Sequence, residues 1–240
     1  MNSATPDIIR FDGVSYRYPG SKDVLCDVSF SIQQGEMLYV TGPSGAGKTT
    51  LLRLIAALCR ASRGQIVVMG QNLSVLKNRR IPAYRQRIGL VFQNFNLLYD
   101  RTVFDNVALP LVVRGYTHSD IGRRTRAALD AVGLLGRERS LPLTLSGGEQ
   151  QRVGIARAIV TKPALILADE PTGNLDPEMA LDVMRGFQRF NEAGVTVMIA
   201  THAIDIIEAL PHRIIHLEHG QITDKLPVAA SRLGDPHGTR

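Results

Sequence analysis

Apolar positions in this chain come in short runs that alternate with stretches of helical spacing. Residues 8–12, 28–32 and 37–41 read as strands, and Gln33, Gln34, Gly35 and Glu36 form the turn between the last two. The third run, Met-Leu-Tyr-Val-Thr, is apolar nearly throughout, as in a strand buried on both faces. It leads into a glycine loop. From Lys48 to about Cys59, Leu51, Leu52, Leu54, Ile55 and Leu58 then recur with helical period. Strands follow at 65–69 and 88–92, the first ended by a turn at Gly70, Gln71 and Asn72.

Between residues 102 and 139 the pattern becomes helical. Thr102 precedes Asp105 at capping distance, and Thr117 precedes a segment with Ile121, Ala128, Leu129 and Val132 apolar. Ser146 predicts a cap for a helix running to about residue 161. Together these segments predict a helical subdomain inserted at about 95–160. Strand and helix then alternate again: a strand at 165–168 ending in Asp169-Glu170, a helix at 178–192, a strand at 195–200 ending at Thr201-His202, and strands at 213–217 and 221–223. The whole predicts one α/β domain over 8–226. The stretch 227–240, rich in Pro, Gly, Ser and His without period, is expected to be loosely ordered.

Composition narrows the class. Of the 240 residues, 44% are hydrophobic and 21% charged, which suits a globular domain with a sizeable core. No run approaches the roughly 18 apolar residues that span a bilayer. The first seven residues carry no secretory pattern. Cys26 and Cys59 follow no metal-ligand spacing and read as core thiols of a reducing compartment. The net charge is +6, with basic clusters at Lys77, Arg79, Arg80, Arg85 and Arg87 and at Arg123, Arg124 and Arg126. The plainer reading is a solvated face, with weak attraction to an anionic membrane surface as the alternative. Aromatics do not interleave with the clusters in the way a single-strand binding surface requires, so no nucleic acid is expected as a partner.

Gly42-Pro43-Ser44-Gly45-Ala46-Gly47-Lys48-Thr49 matches the P-loop pattern, placed after a strand and before a helix as that pattern requires. Its glycines let backbone N–H groups converge on phosphate oxygens, and the helix N-terminus adds partial positive charge. Lys48 is expected to reach the β and γ phosphates, and the Thr49 hydroxyl to ligate Mg²⁺. Asp169, at an acidic strand end, is expected to hold Mg²⁺ through water. Glu170 follows it as the group that orients or deprotonates the attacking water. Gln93 and His202 close two other strands, and parallel strands deliver their C-terminal ends to one edge. Gln93 can reach the metal or the water, and His202 can donate to the γ phosphate.

These residues, together with the run Leu145-Ser146-Gly147-Gly148-Glu149-Gln150-Gln151-Arg152 and with Asp176, resemble the motif set of ABC-type ATPases in the expected order, over residues 8–222. The resemblance implies an α/β P-loop NTPase core with an antiparallel β subdomain and an inserted helical subdomain. It implies ATP and Mg²⁺ as cofactors and hydrolysis of ATP to ADP and phosphate. Tyr18 corresponds to the aromatic that stacks on adenine. Gly42 to Thr50 (with Pro43, Ser44, Gly45, Ala46 and Gly47) cradle the phosphates, and Thr49, Gln93 and Asp169 are the Mg²⁺ set. Lys48, Gln93, Glu170 and His202 are the catalytic set. Ser146, Gly147, Gly148 and Glu149 meet ATP held by a second copy in an ATP-dependent homodimer, and Asn174, Leu175 and Asp176 form the loop at the dimer interface. Two departures, Asn94 and Ala203 where acids are common, bear on loop stability and coupling.

The segments 35–37, 76–79, 100–111 and 153–158 resemble the cell-division branch of the family most closely. That likeness implies a four-span membrane partner of the FtsX type and a place on the cytoplasmic face of the bacterial inner membrane. The implied role is control of septal peptidoglycan hydrolysis rather than pumping of a solute. Lipoprotein-releasing and macrolide-efflux ATPases are the nearest alternative. A nucleic-acid- or ribosome-associated ATPase is the alternative of another class, although the chain has neither the long coiled-coil insertion nor the second cassette usual there.

Overall fold

The computed structural model describes residues 6–20 and 22–223. Strands β1 (Asp7–Arg17) and β2 (Asp23–Gln33) pair antiparallel and bury one face, with Phe11 stacked on Phe30 at 4.6 Å. β3 (Met37–Thr41) leads through the glycine loop to α1 (Lys48–Ile55), followed by β4 (Arg63–Val68) and β5 (Gln71–Asn72). Two 3₁₀ turns, α2 (Ile81–Arg85) and β6 (Ile88–Val91) come next. Then come α3 (Val103–Val113), α4 (His118–Ala131), two more 3₁₀ turns and α5 (Gly147–Ile159). β7 (Leu165–Asp169), α6 (Pro177–Glu192), β8 (Thr196–Ala200), α7 (Ile204–Ala209), β9 (Arg213–Glu218) and β10 (Gln221–Thr223) complete the described chain.

The strands form two sheets, an antiparallel one ordered β2-β1-β4-β5 and a six-stranded one ordered β10-β9-β3-β8-β7-β6. In the second sheet β9, β3, β8, β7 and β6 run parallel, so their C-terminal ends share one edge. The turn at 33–36 forms, with the Glu36 amide donating to the Gln33 carbonyl, but it does not make a hairpin. β2 has one buried face and pairs with β1. β3 is buried on both faces and needs parallel neighbours on both edges, which β8 and β9 supply. The turn therefore joins two sheets. β1 and β2 extend beyond the strands that the sequence pattern predicts, and β5, α2 and α7 form where it predicts no strand or helix.

α1 packs between the sheets. Its Leu51, Leu52, Leu54 and Ile55 share one cluster with Ile9, Phe11 and Leu25 on one side and with Leu38, Val40 and Met198 on the other. Each such side chain contributes roughly 1.5–3 kcal/mol by burial, so the helix behind the glycine loop is held from two directions. α3, α4 and α5 surround a separate core of Val103, Val107, Leu111, Leu129 and Val153, which is the inserted helical subdomain. Capping boxes start two of these helices: Thr102 with Asp105 on α3, and Ser146 with Glu149 on α5. No helix among the described residues is long and apolar enough to cross a membrane. The expected loose stretch 227–240 lies outside the described residues.

Candidate active site

Four strand ends supply the candidate site from the shared sheet edge: β3 into the glycine loop, β6 before Gln93, β7 into Asp169 and Glu170, and β8 before His202. A cleft of about 630 Å³ opens there. Gly42 to Thr50, Gln93, Glu170 and His202 line it, together with Tyr18, just after β1, and Val24 on β2. The loop needs its first glycine. Gly42 has φ +140°, and a Cβ there would run into the Leu217 carbonyl oxygen of β9. α1 begins at Lys48 without a side-chain cap, so its first N–H groups remain for an anion.

Lys48 Nζ donates to the Gly42 carbonyl at 2.8 Å and the Pro43 carbonyl at 3.3 Å, and lies 3.8 Å from Glu170 Oε1. The Thr49 hydroxyl donates to Asp169 Oδ1 at 3.1 Å. Burial raises the Asp169 carboxyl above its ordinary value; the Thr49 hydrogen bond opposes this, Glu170 adds to it and Lys48 opposes it. Glu170 takes a left-handed backbone, φ +46°, which a non-glycine residue holds only when its surroundings enforce it. Its amide donates to the Ala200 carbonyl of β8 at 2.9 Å, and its Oε1 pairs with His202 Nδ1 at 2.9 Å. Because an ionised Glu170 can only accept, Nδ1 is the donor, and the other ring nitrogen can donate to a phosphate oxygen only in the imidazolium form. Both contacts fall on Oε1, and Oε2 takes part in neither.

Tyr18 edges onto Tyr16 with centroids 4.9 Å apart, and its hydroxyl bonds with that of Thr50 at 3.2 Å. Thr50 thus joins the end of the cleft that Tyr18 occupies. Gln93 lies in the bend after β6, its amide nitrogen against Gly173. Thr49, Asp169 and the Gln93 amide oxygen are hard oxygen donors. Mg²⁺ accepts such donors alongside water and phosphate oxygens, so they fit that ion, and no cluster of three His, Cys, Asp or Glu among the described residues offers a different metal site.

The motif at 146–149 is not brought into this cleft. Ser146 caps α5, its Oγ accepting from the Glu149 amide at 3.2 Å while Glu149 Oε2 accepts from the Ser146 amide at 2.9 Å. The backbone hydrogen bond from Ser146 holds the Glu149 carboxyl below its usual range, and Arg137, 3.3 Å away, adds to this. Gly147 packs ordinarily near Asn174 and Leu175, and Gly148 leaves the room that Met179 fills. Asp176 caps α6 by accepting from the Met179 amide at 3.0 Å. The sequence-predicted residues therefore form two groups, the cleft set and an edge where 146–149 meets 174–176.

Two contributors escaped the sequence reading. Val24 walls the cleft but reads only as a strand residue. Arg157, on α5, donates to the Phe95 carbonyl at 2.9 Å and the Asn96 carbonyl at 2.7 Å. It ties the helix that starts at Ser146 to the loop after Gln93, and a cation set among the apolar residues of α5 was the signal for it. Ala203 leaves α7 without a side-chain cap, and Thr201 Oγ1 accepts from the Ala203 amide instead.

Residues 25–173 match the family profile described as ABC transporter. The chain is 52% identical over 215 residues to the cell division ATP-binding protein FtsE of Escherichia coli K12, covering 90% of this chain and 97% of the relative. It is 43% identical over 215 residues to the protein of that name from Streptococcus pneumoniae D39, covering 90% and 94%. Among solved structures it is similar to the dimeric bacterial ABC transporter cassette MJ0796, at 33% identity and a TM-score of 0.83, covering 92% of this chain and 98% of that one. It is also similar to the post-hydrolysis dimer of that cassette bound to ADP and Pi, at 32% identity, a TM-score of 0.82 and the same coverage. The chain belongs to the ABC transporter family and is an ATPase of the ABC type.

Proposed function

We propose that two copies of this chain close head to tail around two ATP molecules, and that this clamp drives a membrane partner in bacterial cell division. One observation carries the clamp. The cleft gathers the P-loop, Gln93, Glu170 and His202, while Ser146 and its glycines stand on another edge, at the N-terminus of α5, which Ser146 and Glu149 cap and where the helix carries partial positive charge. One chain thus holds two halves of a phosphate site that do not meet within it, and a second copy supplies the missing half to each. The dimeric MJ0796 cassette supports the same arrangement.

In that clamp Tyr18 stacks on adenine, and residues 42–50 wrap the phosphates. Lys48 exchanges its two carbonyl partners for the β and γ phosphates. Thr49, Asp169 and Gln93 hold Mg²⁺, which supplies charge neutralisation at the phosphates. Glu170 Oε2 takes the proton of the attacking water, His202 steadies Glu170 and meets the γ phosphate, and loss of that phosphate lets the halves part. Ser146 to Glu149, beside the 174–176 loop of their own chain, contact the ATP of the other copy.

The 52% identity to FtsE supports the cell-division role, with an FtsX-like four-span partner holding the chain at the inner membrane and passing its motion outward to septal peptidoglycan hydrolysis. In this reading the partner docks beside residues 93–101, where Leu98 is 42% and Tyr99 44% exposed. Recovery of the native protein from gently solubilised membranes tests this. A co-purifying subunit with four spans and one large external loop is expected. Recovery with a solute-permease subunit instead, or with ribosomes, would overturn the cell-division assignment and leave the ATPase standing.

A further inference from the structure

The charge of this chain is segregated. From Met37 to Tyr99 there are nine cations and not one Asp or Glu. Nine of the 28 cations thus stand in that run, the other 19 face all 22 acids elsewhere, and the excess of +6 comes wholly from this run. Ordinary soluble surfaces mix the two signs. Lys48 belongs to the P-loop, and Arg85 is spent on the Ala56 and Ala57 carbonyls at 3.2 and 2.7 Å. The remaining seven are exposed.

The fold concentrates four of them. Arg60 donates to the Leu76 carbonyl at 2.7 Å and to Asn78 Oδ1 at 2.8 Å, tying the end of α1 to the turn that carries Lys77, Arg79 and Arg80. Tyr84 donates to the Ile55 carbonyl, and with Arg85 it pins α2 to the same end of α1. Arg87 follows α2 directly. Lys77, Arg79, Arg80 and Arg87 form no ion pair among the described residues, whereas Arg10, Arg123, Arg126 and Arg185 all do. Val75, 73% exposed, stands two residues before Lys77.

We propose that this corner is a docking surface for anionic phospholipid headgroups, with the four cations on the phosphates and Val75 entering the apolar layer. A nucleic acid fits it less well. Tyr84, the corner's aromatic residue, is buried and cannot stack on a base, and α2 has only five residues, too few to lie along a groove. The attraction is independent of any membrane subunit and adds to what such a subunit provides. Each cation near an anionic bilayer strengthens binding about fivefold.

The purified full chain, free of any membrane subunit, tests this by sedimentation with vesicles of phosphatidylcholine alone or mixed with phosphatidylglycerol. Binding is expected only to the mixed vesicles and is expected to weaken with added salt. R79Q/R80Q should weaken it about 25-fold and leave ATPase turnover at the wild-type rate, which reports an intact fold. R10Q/R185Q, at cations already paired with Asp12 and Asp182, should change it little. Equal binding to phosphatidylcholine alone, undiminished binding by R79Q/R80Q, or equal displacement by duplex DNA at matched phosphate would overturn the proposal. The first two mean adsorption elsewhere, and the third means a general polyanion patch. None of these outcomes bears on the two-copy ATP site.

Discussion

Ser146 has two separable jobs in this account, and two substitutions tell them apart. Within its own chain it caps α5, with its Oγ on the Glu149 amide at 3.2 Å. Ser146→Ala removes that acceptor, at a cost of about 1 kcal/mol, which lowers the melting temperature by about 2–4 °C for a domain of this size. Ser146→Asp keeps a capping oxygen and places negative charge at a helix N-terminus, where it is tolerated well. Arg137, 3.3 Å from Glu149, offsets the crowding of two carboxylates. The melting temperature of the Asp variant should therefore stay near wild type. Its second job should fail. A carboxylate about 4 Å from a γ phosphate costs about 4 kcal/mol at an effective dielectric of 20, roughly a thousandfold in closure of the clamp. The assays are thermal unfolding, titration with a fluorescent ATP analogue, and steady-state turnover. The account expects Ser146→Asp to bind nucleotide normally, to melt normally and to lose turnover by about three orders of magnitude. Wild-type turnover, or loss of nucleotide binding in a protein that still melts normally, would refute the reasoning, because either places Ser146 in a different relation to the P-loop.

Gly42→Ala forces a side chain into φ +140° and against the Leu217 carbonyl, so thermal unfolding should show a loss of at least 1–3 kcal/mol and the analogue should no longer bind. The Glu149 carboxyl is held low in the folded chain, so its stabilising effect is present above the unfolded value of about 4.3 and is lost as the pH falls through the folded value. The melting difference between wild type and Glu149→Gln should accordingly be largest near neutral pH and shrink below about pH 4.3; a constant difference would contradict the ionic origin of the cap. Leu98→Asp with Tyr99→Asp should abolish recovery with the membrane subunit while the purified chain keeps its own ATPase rate, since neither residue lines the cleft.

The site was legible in the sequence where local rules decide. A strand running into Gly42 and a helix leaving at Lys48 give the loop its local path, and Ser146 with Glu149 three residues on is a self-contained cap. The alternation of strands and helices also placed Gln93, Glu170 and His202 at one edge, because parallel strands leave no other choice. What escaped depends on distant partners. The parting of β2 and β3 into different sheets follows from β8 and β9, over a hundred and fifty residues away, pairing with both edges of β3. Arg157 and the Phe95 carbonyl it holds are 62 positions apart, and no spacing rule joins them. The left-handed backbone of Glu170 exists because Ala200 and His202 hold it from the neighbouring strand. Buried Asn106, which binds Leu98, Arg101 and Thr102 to shape the loop after Gln93, reads in sequence as an ordinary polar helix residue.

The central claim is that a working ATP site is shared between two copies. Its most direct test is the solution mass of Glu170→Gln, measured by sedimentation with ATP, with ADP and without nucleotide. If Glu170 takes the proton as proposed, removing its carboxylate should stop turnover while leaving the P-loop, Thr49 and Ser146 in place. The account predicts a dimer holding two ATP molecules with ATP present, and a monomer in the other two conditions. A monomer that stays monomeric with ATP bound, or a variant that hydrolyses ATP at the wild-type rate, would contradict it.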